Sequence, residues 1–196
     1  MKKQQDTTNE TKNSFIVSFC KLYMKKPIEK ISIRELTDTA GYNRTTFYNY
    51  FSDIYDVLDY IENSSIRYVK KNIIIDMKKE NPSKQFINTF LNIYENWESY
   101  IKVLLSNQNS AHFTDRLKKE LFNSCMDAFN LPKNNIRAEY ILDFYLSAII
   151  SVISRWIRNQ SEMSSLEMAN LLEDMLTNNI FTKIDNYTKK EKTLSK

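Results

Sequence analysis

Glycine occurs once in this chain of 196 residues, at Gly41, and proline occurs only three times. Sandwiches and barrels of β-strands need turn residues at regular intervals, and glycine and proline are the usual ones. Their scarcity argues against a β-rich architecture. Because 42% of the residues are hydrophobic, the chain can still bury a substantial core, and the composition predicts an all-α protein.

Cysteine and histidine are scarce as well, since the chain has only Cys20, Cys125 and His112. These three residues do not make a convincing His/Cys metal site, and no glycine-rich phosphate loop is present. The adjacent carboxylates Glu173 and Asp174 have the wrong spacing to converge on a helix. We therefore expect no enzyme, no cofactor and no metal site. We expect both thiols to be buried and reduced, with a redox-sensing role as the alternative.

Long hydrophobic runs are also absent. The most apolar stretch without a charge, residues 144–154, is 11 residues long, whereas a membrane-spanning helix needs about 20. The N-terminus is polar and lacks the pattern of a signal peptide. We expect a cytoplasmic protein that does not enter a membrane.

Charge is close to balanced, with a net charge of +4. Residues 1–55 carry nine basic and six acidic side chains, which is most of the excess. This distribution gives modest support for phosphate binding near the N-terminus, although a solvated lysine-rich surface has the same composition.

Apolar residues recur at three- and four-residue steps along most of the chain. They predict a first helix that begins at Thr11 and ends before Pro27. Further helices are predicted at 32–40, 44–50, 53–79, 83–99, 111–130, 136–159 and 164–180, with a short apolar piece at 100–105. The first ten residues are expected to be frayed. We predict about nine helices in an N-terminal domain (1–53) and a helical body (54–182), followed by a basic tail without fixed structure (183–196).

Gly41 lies between two short helical segments, where a helix C′ residue adopts a positive φ angle that disfavours a Cβ. Ser32 and Glu35 form a capping-box pattern at the start of the first segment, as do Ser164 and Glu167 at the start of the last predicted helix. Asn43 is placed to cap the second segment. This arrangement predicts a helix-turn-helix whose recognition helix is Arg44–Tyr50.

The stretch from Ile31 to Leu58 resembles the DNA-binding domain of the TetR/AcrR family of bacterial repressors. The similar features are Ser32, Ala40-Gly41, the run Thr-Phe-Tyr-Asn-Tyr-Phe at 46–51, and residues 52–58, which resemble the start of the family's fourth helix. Residues 145–159, with Trp156, are similar to a branch that includes the dihydroxyacetone-kinase operon regulators.

The resemblance implies a homodimer that forms through the last two helices and binds an inverted-repeat operator in double-stranded DNA. Short hydroxyl and amide side chains suit phosphate contacts, while Arg and Asn suit base edges. The residues expected at the DNA are Ser32, Arg34, Asn43, Arg44, Thr45, Thr46, Tyr48, Asn49 and Tyr50. Arg44, Thr45, Tyr48 and Asn49 are expected to face the major groove, whereas Ser32, Asn43, Thr46 and Tyr50 are expected to contact phosphates. Tyr48 and Tyr50 could alternatively be core aromatics.

The resemblance also implies a pocket in the helical body for a small hydrophobic or aromatic ligand. Candidate lining residues are Tyr94, Trp97, Tyr100, His112, Phe113 and Tyr145. Aromatic residues at helical spacing also suit an ordinary core, and a lone histidine also suits the edge of a surface loop.

Residues 136–159 are apolar on nearly every side, as in a helix buried all round. Such a helix can pack on its own core and on a second subunit. The predicted dimer interface consists of Ile149, Val152, Ile153, Trp156, Leu172 and Met175, with a core position as the alternative for Trp156.

Ile54 departs from the family pattern, which usually has a lysine there that contacts a phosphate. Losing one such contact weakens DNA binding and lowers its salt dependence by about one ion. The main hypothesis is a ligand-responsive transcriptional repressor. The alternative is a co-activator or adaptor of the same fold that acts through protein contacts, with weak or no DNA binding.

Overall fold

The computed structural model describes residues 2–77, 82–106, 110–128, 135–159 and 162–177. Within these ranges the regular structure consists of eight α-helices and one 3₁₀ turn, without strands, so the all-α prediction is confirmed. The helices are α1 (Lys2–Tyr23), α2 (Ile33–Ala40), α3 (Arg44–Tyr48), α4 (Ile54–Met77), α5 (Pro82–Ser106), α6 (Ser110–Ala128), α7 (Ile136–Arg158) and α8 (Ser165–Thr177), and the 3₁₀ turn is Ile28–Lys30.

Two helices are longer than the sequence pattern predicts. Helix α1 already includes residues 2–10, which were expected to be frayed, and α5 continues through residues 100–105 to Ser106. Neither stretch contains a glycine or a proline that would end a helix. The predicted tail at 183–196 and the predicted end of the last helix at 178–180 lie outside the described residues.

The chain divides into two compact units. The first combines residues 1–69 with 97–120, and the second combines 70–96 with 121–196. The predicted division at residues 53 and 54 stays a prediction. Fully buried side chains of α1, α2, α3 and α4 form part of the core of the first unit: Phe15, Phe19, Leu36, Phe47 and Val57. Along the described helices, none is long and apolar enough to cross a membrane.

Trp156 lies in the core of the second unit, where it is 4% exposed. Its indole ring is 4.9 Å from the ring of Tyr94 and 6.1 Å from that of Phe90. The indole Nε1–H donates a hydrogen bond of 2.8 Å to the carbonyl of Met163, in the turn before α8. These contacts support the core position of Trp156. Leu172 is equally buried, so neither side chain retains much surface for a second subunit.

Helix α8 begins with the capping box that the sequence predicts. The Ser164 hydroxyl accepts a hydrogen bond from the backbone N–H of Glu167, and the Glu167 carboxylate accepts from the N–H and the hydroxyl of Ser164 at 2.8 and 2.7 Å. The side-chain and backbone hydrogen bonds from Ser164 lower the pKa of Glu167, because they favour its ionised form.

Candidate nucleic-acid interface

Gly41 ends α2 as the sequence predicts. It has φ 77° and ψ 27°, in the left-handed region. Its N–H donates to the carbonyl of Asp38 at 3.4 Å, and the N–H of Tyr42 donates to that of Thr37 at 3.0 Å. These two bonds form a Schellman motif, which satisfies carbonyls at the helix end and turns the chain sharply towards α3.

The capping box predicted at the start of α2 forms only in part. The Ser32 hydroxyl accepts a hydrogen bond from the N–H of Glu35 at 3.2 Å, as expected. The carboxylate of Glu35, however, bonds to the ammonium of Lys26. The attraction of an ammonium from the preceding turn directs this carboxylate away from the reciprocal position of a capping box.

Asn43 caps α3, as predicted. Its Oδ1 accepts hydrogen bonds from the N–H of Thr46 at 2.8 Å and from the Thr46 hydroxyl at 3.0 Å. Helix α3 is shorter than the predicted Arg44–Tyr50, because it ends at Tyr48 and Asn49 is its C-cap residue.

One buried ring fixes the rotation of α3. Phe47 is fully buried, and its ring lies edge-on to that of Phe15 of α1, with 5.5 Å between the centroids. The opposite side of α3 therefore faces solvent. The exposed residues there are Arg44, Thr45, Tyr48 and Asn49. They are the four residues predicted to face the major groove, and the structure brings them to one surface.

The residues predicted to contact phosphates are less uniformly available. Thr46 and Tyr50 are half-buried. The hydroxyl proton of Thr46 is donated to Asn43, and the ring of Tyr50 is 6.2 Å from that of Phe15. Ser32 and Asn43 are exposed, but their oxygens already accept the capping bonds. The groups left for a phosphate are therefore donors, namely the Asn43 amide N–H₂ and the Ser32 hydroxyl proton.

Ile54 is 6% exposed and belongs to the core at the start of α4. The next residue, Tyr55, is 53% exposed. Tyr42, in the turn between α2 and α3, is also exposed, and its hydroxyl accepts a hydrogen bond from the Thr11 hydroxyl. Sequence analysis missed both tyrosines as surface residues of this region, because burial of an aromatic side chain cannot be deduced from its type.

The basic excess of the N-terminal region does not lie on the helix-turn-helix. Residues 28–56 contain three basic and five acidic side chains, whereas residues 1–27 contain six basic and two acidic ones. The excess that supports phosphate binding in the N-terminal region therefore precedes the helix-turn-helix and does not lie on it. The Lys26 ammonium bonds to the Glu35 carboxylate, and Arg34 lies 3.7 Å from Asp38, measured from Nε to Oδ2.

The six candidate ligand-binding residues do not all belong to one unit. Trp97, Tyr100, His112 and Phe113 lie in the first unit, while Tyr94 and Tyr145 lie in the second. The Trp97 ring stacks on that of Tyr68 at 4.8 Å and is 5.0 Å from that of Tyr100. Trp97 therefore already has aromatic partners within its own unit.

Tyr100 and Phe113 both belong to the first unit, where Tyr100 forms a hydrogen bond and Phe113 is buried. The Tyr100 hydroxyl donates to Asn13 Oδ1 at 3.3 Å. Burial raises the pKa of Tyr100, with smaller contributions from Cys20 and Tyr60. Phe113 is buried. Their role in a ligand pocket stays a prediction.

His112 is exposed, and its Nδ1 lies 3.8 Å from the buried carboxylate of Glu62 on α4. The main partner of that carboxylate is Arg116, one turn after His112 on α6. Arg116 Nη1 bonds to Glu62, and Nη2 donates to Asn63 Oδ1 at 2.7 Å. These contacts connect α4 to α6 within the first unit.

Helix α7 carries an exposed apolar surface in its N-terminal half. It consists of Ile136, Tyr140, Ile141, Phe144 and Tyr145, and we call it the α7 stripe. Tyr140 and Phe144 are the most exposed, at 71% and 67%. Four predicted interface residues, Ile149, Val152, Ile153 and Met175, are half-buried. Val152 lies seven residues after Tyr145 and continues the stripe along the same helical face.

Comparison with known proteins gives one family match and several similar folds. A family model of TetR-type regulators, described as the C-terminal region of a transcriptional regulator, matches residues 80–178, half of the chain. No curated protein sequence matches the chain.

Three solved structures illustrate the likeness of fold. A TetR transcriptional regulator from Streptococcus agalactiae has a TM-score of 0.60 and 17% identity over 89% of this chain and 98% of that chain. The dihydroxyacetone kinase operon activator DhaS has a TM-score of 0.60 and 16% identity over 85% and 93%. The fatty acid degradation regulator FadR from Bacillus halodurans has a TM-score of 0.64 and 11% identity over 87% and 96%.

Proposed function

The chain belongs to the TetR family of transcriptional regulators, and from this membership we propose that it is a repressor that binds operator DNA as a homodimer. The exposed side of α3 is the observation that carries the proposal. This side carries four exposed residues: Arg44, Thr45, Tyr48 and Asn49. On the buried side, the packing of Phe47 against Phe15 fixes the orientation of the helix.

The chemistry of this surface suits the edges of base pairs in the major groove. An arginine can donate two hydrogen bonds to guanine O6 and N7, and an asparagine can pair with adenine N6 and N7. Threonine and tyrosine add contacts to thymine methyl groups or to phosphates. We assign base contacts to Arg44 and Asn49, and supporting contacts to Thr45 and Tyr48.

The phosphate contacts come from the flanking segments. Arg34 lies on the exposed side of α2, and the Asn43 amide N–H₂ is not needed for its capping bonds. Ser32 and Tyr50 remain proposed phosphate contacts through their hydroxyl protons. Thr46 is the weakest member of the predicted set, because its hydroxyl proton is already donated to Asn43.

A homodimer accounts for the α7 stripe. Apolar patches of this kind on the surface of a soluble domain mark interaction sites. An interface with twofold symmetry uses the same patch on both subunits, and a dimer of that symmetry matches an inverted-repeat operator. We propose that the stripe forms the interface together with Val152 and the half-buried residues Ile149, Ile153 and Met175.

Control by a small hydrophobic or aromatic ligand stays a prediction of the family resemblance. Tyr94, Trp97 and Tyr100 have aromatic or hydrogen-bonding partners inside their own units. A ligand that used these side chains would have to exchange those contacts for its own.

A co-activator or adaptor of the same fold is the second candidate. Two observations favour it: Ile54 is buried where the family usually has a phosphate-contacting lysine, and residues 28–56 carry more acidic than basic side chains. An adaptor would show no preference for its own upstream DNA over competitor DNA. A repressor would bind that DNA saturably, in preference to competitor DNA, and more weakly as the salt concentration rises.

The experiment that separates the two candidates measures the binding of the purified protein to its own upstream intergenic DNA in the presence of competitor DNA. Arg44→Ala is the test variant, and Arg67→Ala on α4 is the matched control, since Arg67 is also an exposed helical arginine and belongs neither to the proposed DNA surface nor to the proposed interface. Loss of specific binding in Arg44→Ala alone supports the proposal. Equal binding of both variants contradicts the assignment of Arg44.

A further inference from the structure

We propose that the two carboxylates of α2, Glu35 and Asp38, limit the attraction of the helix-turn-helix for DNA of any sequence by neutralising Lys26 and Arg34. This inference rests on the proposed function, because it concerns the same helix-turn-helix. Its consequence is that binding depends mainly on the directional contacts of α3 and only weakly on charge.

Each of the two cations has a carboxylate of α2 as its partner. The Lys26 ammonium bonds to Glu35, and both side chains are less than half exposed. Arg34 and Asp38 lie one turn apart on α2 with 3.7 Å between Nε and Oδ2, and both are largely exposed. A phosphate that approaches Arg34 therefore meets a negative charge next to the positive one.

The position of Asp38 does not serve the stability of α2. Asp38 lies in the last turn of Ile33–Ala40, where the negative end of the helix dipole disfavours a carboxylate. In the pair with Arg34, the basic residue precedes the acidic one, which is the less stabilising order on a helix. The stability of α2 does not account for Asp38. A lower affinity of the helix-turn-helix for DNA of any sequence is the better explanation.

The surrounding charges point the same way. Between residues 28 and 56, the three basic side chains are Lys30, Arg34 and Arg44, and the five acidic ones are Glu29, Glu35, Asp38, Asp53 and Asp56. Sequence-independent affinity for DNA arises largely from cations that replace the counterions of phosphates. A helix-turn-helix region with a net negative charge provides little of this attraction.

The geometry assigns different roles to two of the three remaining carboxylates, those of Asp53 and Asp56. Asp53 caps α4, because its Oδ1 accepts from the N–H of Asp56 at 2.8 Å. The carboxylate of Asp56 accepts from the N–H and the hydroxyl of Ser52. These two acidic residues therefore have a structural function, whereas the carboxylates of Glu35 and Asp38 form ion pairs with Lys26 and Arg34.

The test compares the wild-type protein with Asp38→Asn and Glu35→Gln on random-sequence duplex DNA across a range of salt concentrations. At about 50 mM salt we expect each variant to bind about three- to tenfold more tightly, and the plot of log affinity against log salt to steepen by about one ion. Unchanged or weaker binding by both variants would overturn the proposal.

Glu98→Gln is the matched control, since Glu98 forms an ion pair one turn away from Lys102 on α5. It changes the net charge by the same amount and opens a similar pair on another helix. If Glu98→Gln increased the affinity for random DNA as much as Asp38→Asn, net charge alone would explain the effect and the specific role of α2 would be wrong.

The outcome is independent of whether the protein has an operator. Salt elution from immobilised heparin, a polyanion without sequence, serves as the second measurement, and Asp38→Asn should elute at higher salt than wild type and Glu98→Gln. If wild type shows no preference for its upstream DNA, the proposed repressor function fails. The inference about α2 is still tested separately, by the affinity for random-sequence DNA and by the elution from heparin.

Discussion

Asn43 and Thr46 are joined by two hydrogen bonds, since Asn43 Oδ1 accepts from both the N–H and the hydroxyl of Thr46, at 2.8 and 3.0 Å. The pair closes the first turn of α3, a helix of only five residues. Isolated helices of this length are unstable in water, so α3 depends on its cap and on the packing of Phe47. The cap therefore links the stability of the first unit to the surface that we propose for DNA.

Asn43→Ala should lower the free energy of unfolding by about 1 kcal/mol, because it removes the acceptor at the start of α3. Chemical denaturation measures this change. Asn49→Ala is the control, since Asn49 is exposed at the other end of the helix. Asn49→Ala should leave stability nearly unchanged while weakening specific DNA binding. Equal stability of Asn43→Ala and wild type would contradict the role of the cap.

Gly41→Ala should lower the free energy of unfolding by about 1–2 kcal/mol, because an L-residue is strained at φ 77°. A Cβ at this position would meet no atom within 4 Å, so the cost comes from the backbone alone. Gly41→Asn should cost less than Gly41→Ala, since asparagine tolerates the left-handed region better. The two variants are compared by denaturant titration. The same loss in both would indicate a steric cause and contradict this explanation.

Local features of the fold are the ones that the sequence predicts well. The roles of Gly41, Asn43 and the Ser164–Glu167 box each depend on residues within one helical turn of one another. The partner of Glu35 could not be predicted in this way. Lys26 is nine residues away, and its approach depends on the path of the 3₁₀ turn between them.

Burial within α7 is the second feature that the sequence leaves open. Because the helix is apolar on nearly every side, its periodicity does not tell which side faces the chain's own core. In the structure, Trp156 faces that core and Phe144 faces solvent. The sequence leaves both a dimer interface and a core position open for Trp156, and Phe144 is not among the interface residues that it predicts.

Phe144→Glu should convert a dimer into a monomer or weaken its association by about 100-fold or more, because a charge in a buried apolar interface is costly. Analytical ultracentrifugation measures the change. Asn123→Glu, at an exposed position of α6, is the control and should leave association unaffected. Circular dichroism establishes that both variants are folded. A folded Phe144→Glu variant with the association of wild type would refute the interface.

The thiol of Cys20 should be unreactive in the folded protein. Burial raises its pKa to about 12, and burial also raises the pKa of Cys125. Since the thiolate is the nucleophile, we expect no alkylation by iodoacetamide at about pH 8 until the protein is unfolded with denaturant.

The raised pKa of Cys20 also has a consequence for stability. The unfolded thiol ionises near its ordinary pKa of 9.0, while the folded thiol stays protonated until about pH 12. The contribution to stability is therefore fully present below pH 9.0 and is lost as the pH rises from there towards 12. Cys20→Ser should show a smaller decline over this range than wild type. Rapid alkylation of the native protein at about pH 8 would contradict the burial of the thiol.

The binding of the protein to its own upstream intergenic DNA, at about 50 and about 200 mM salt with competitor DNA present, tests the central claim most directly. We predict saturable binding that weakens with salt, and a loss of about 1–3 kcal/mol of specific binding in Arg44→Ala if Arg44 contacts a base. Absence of any preference over competitor DNA would contradict the account and would direct the search to protein partners.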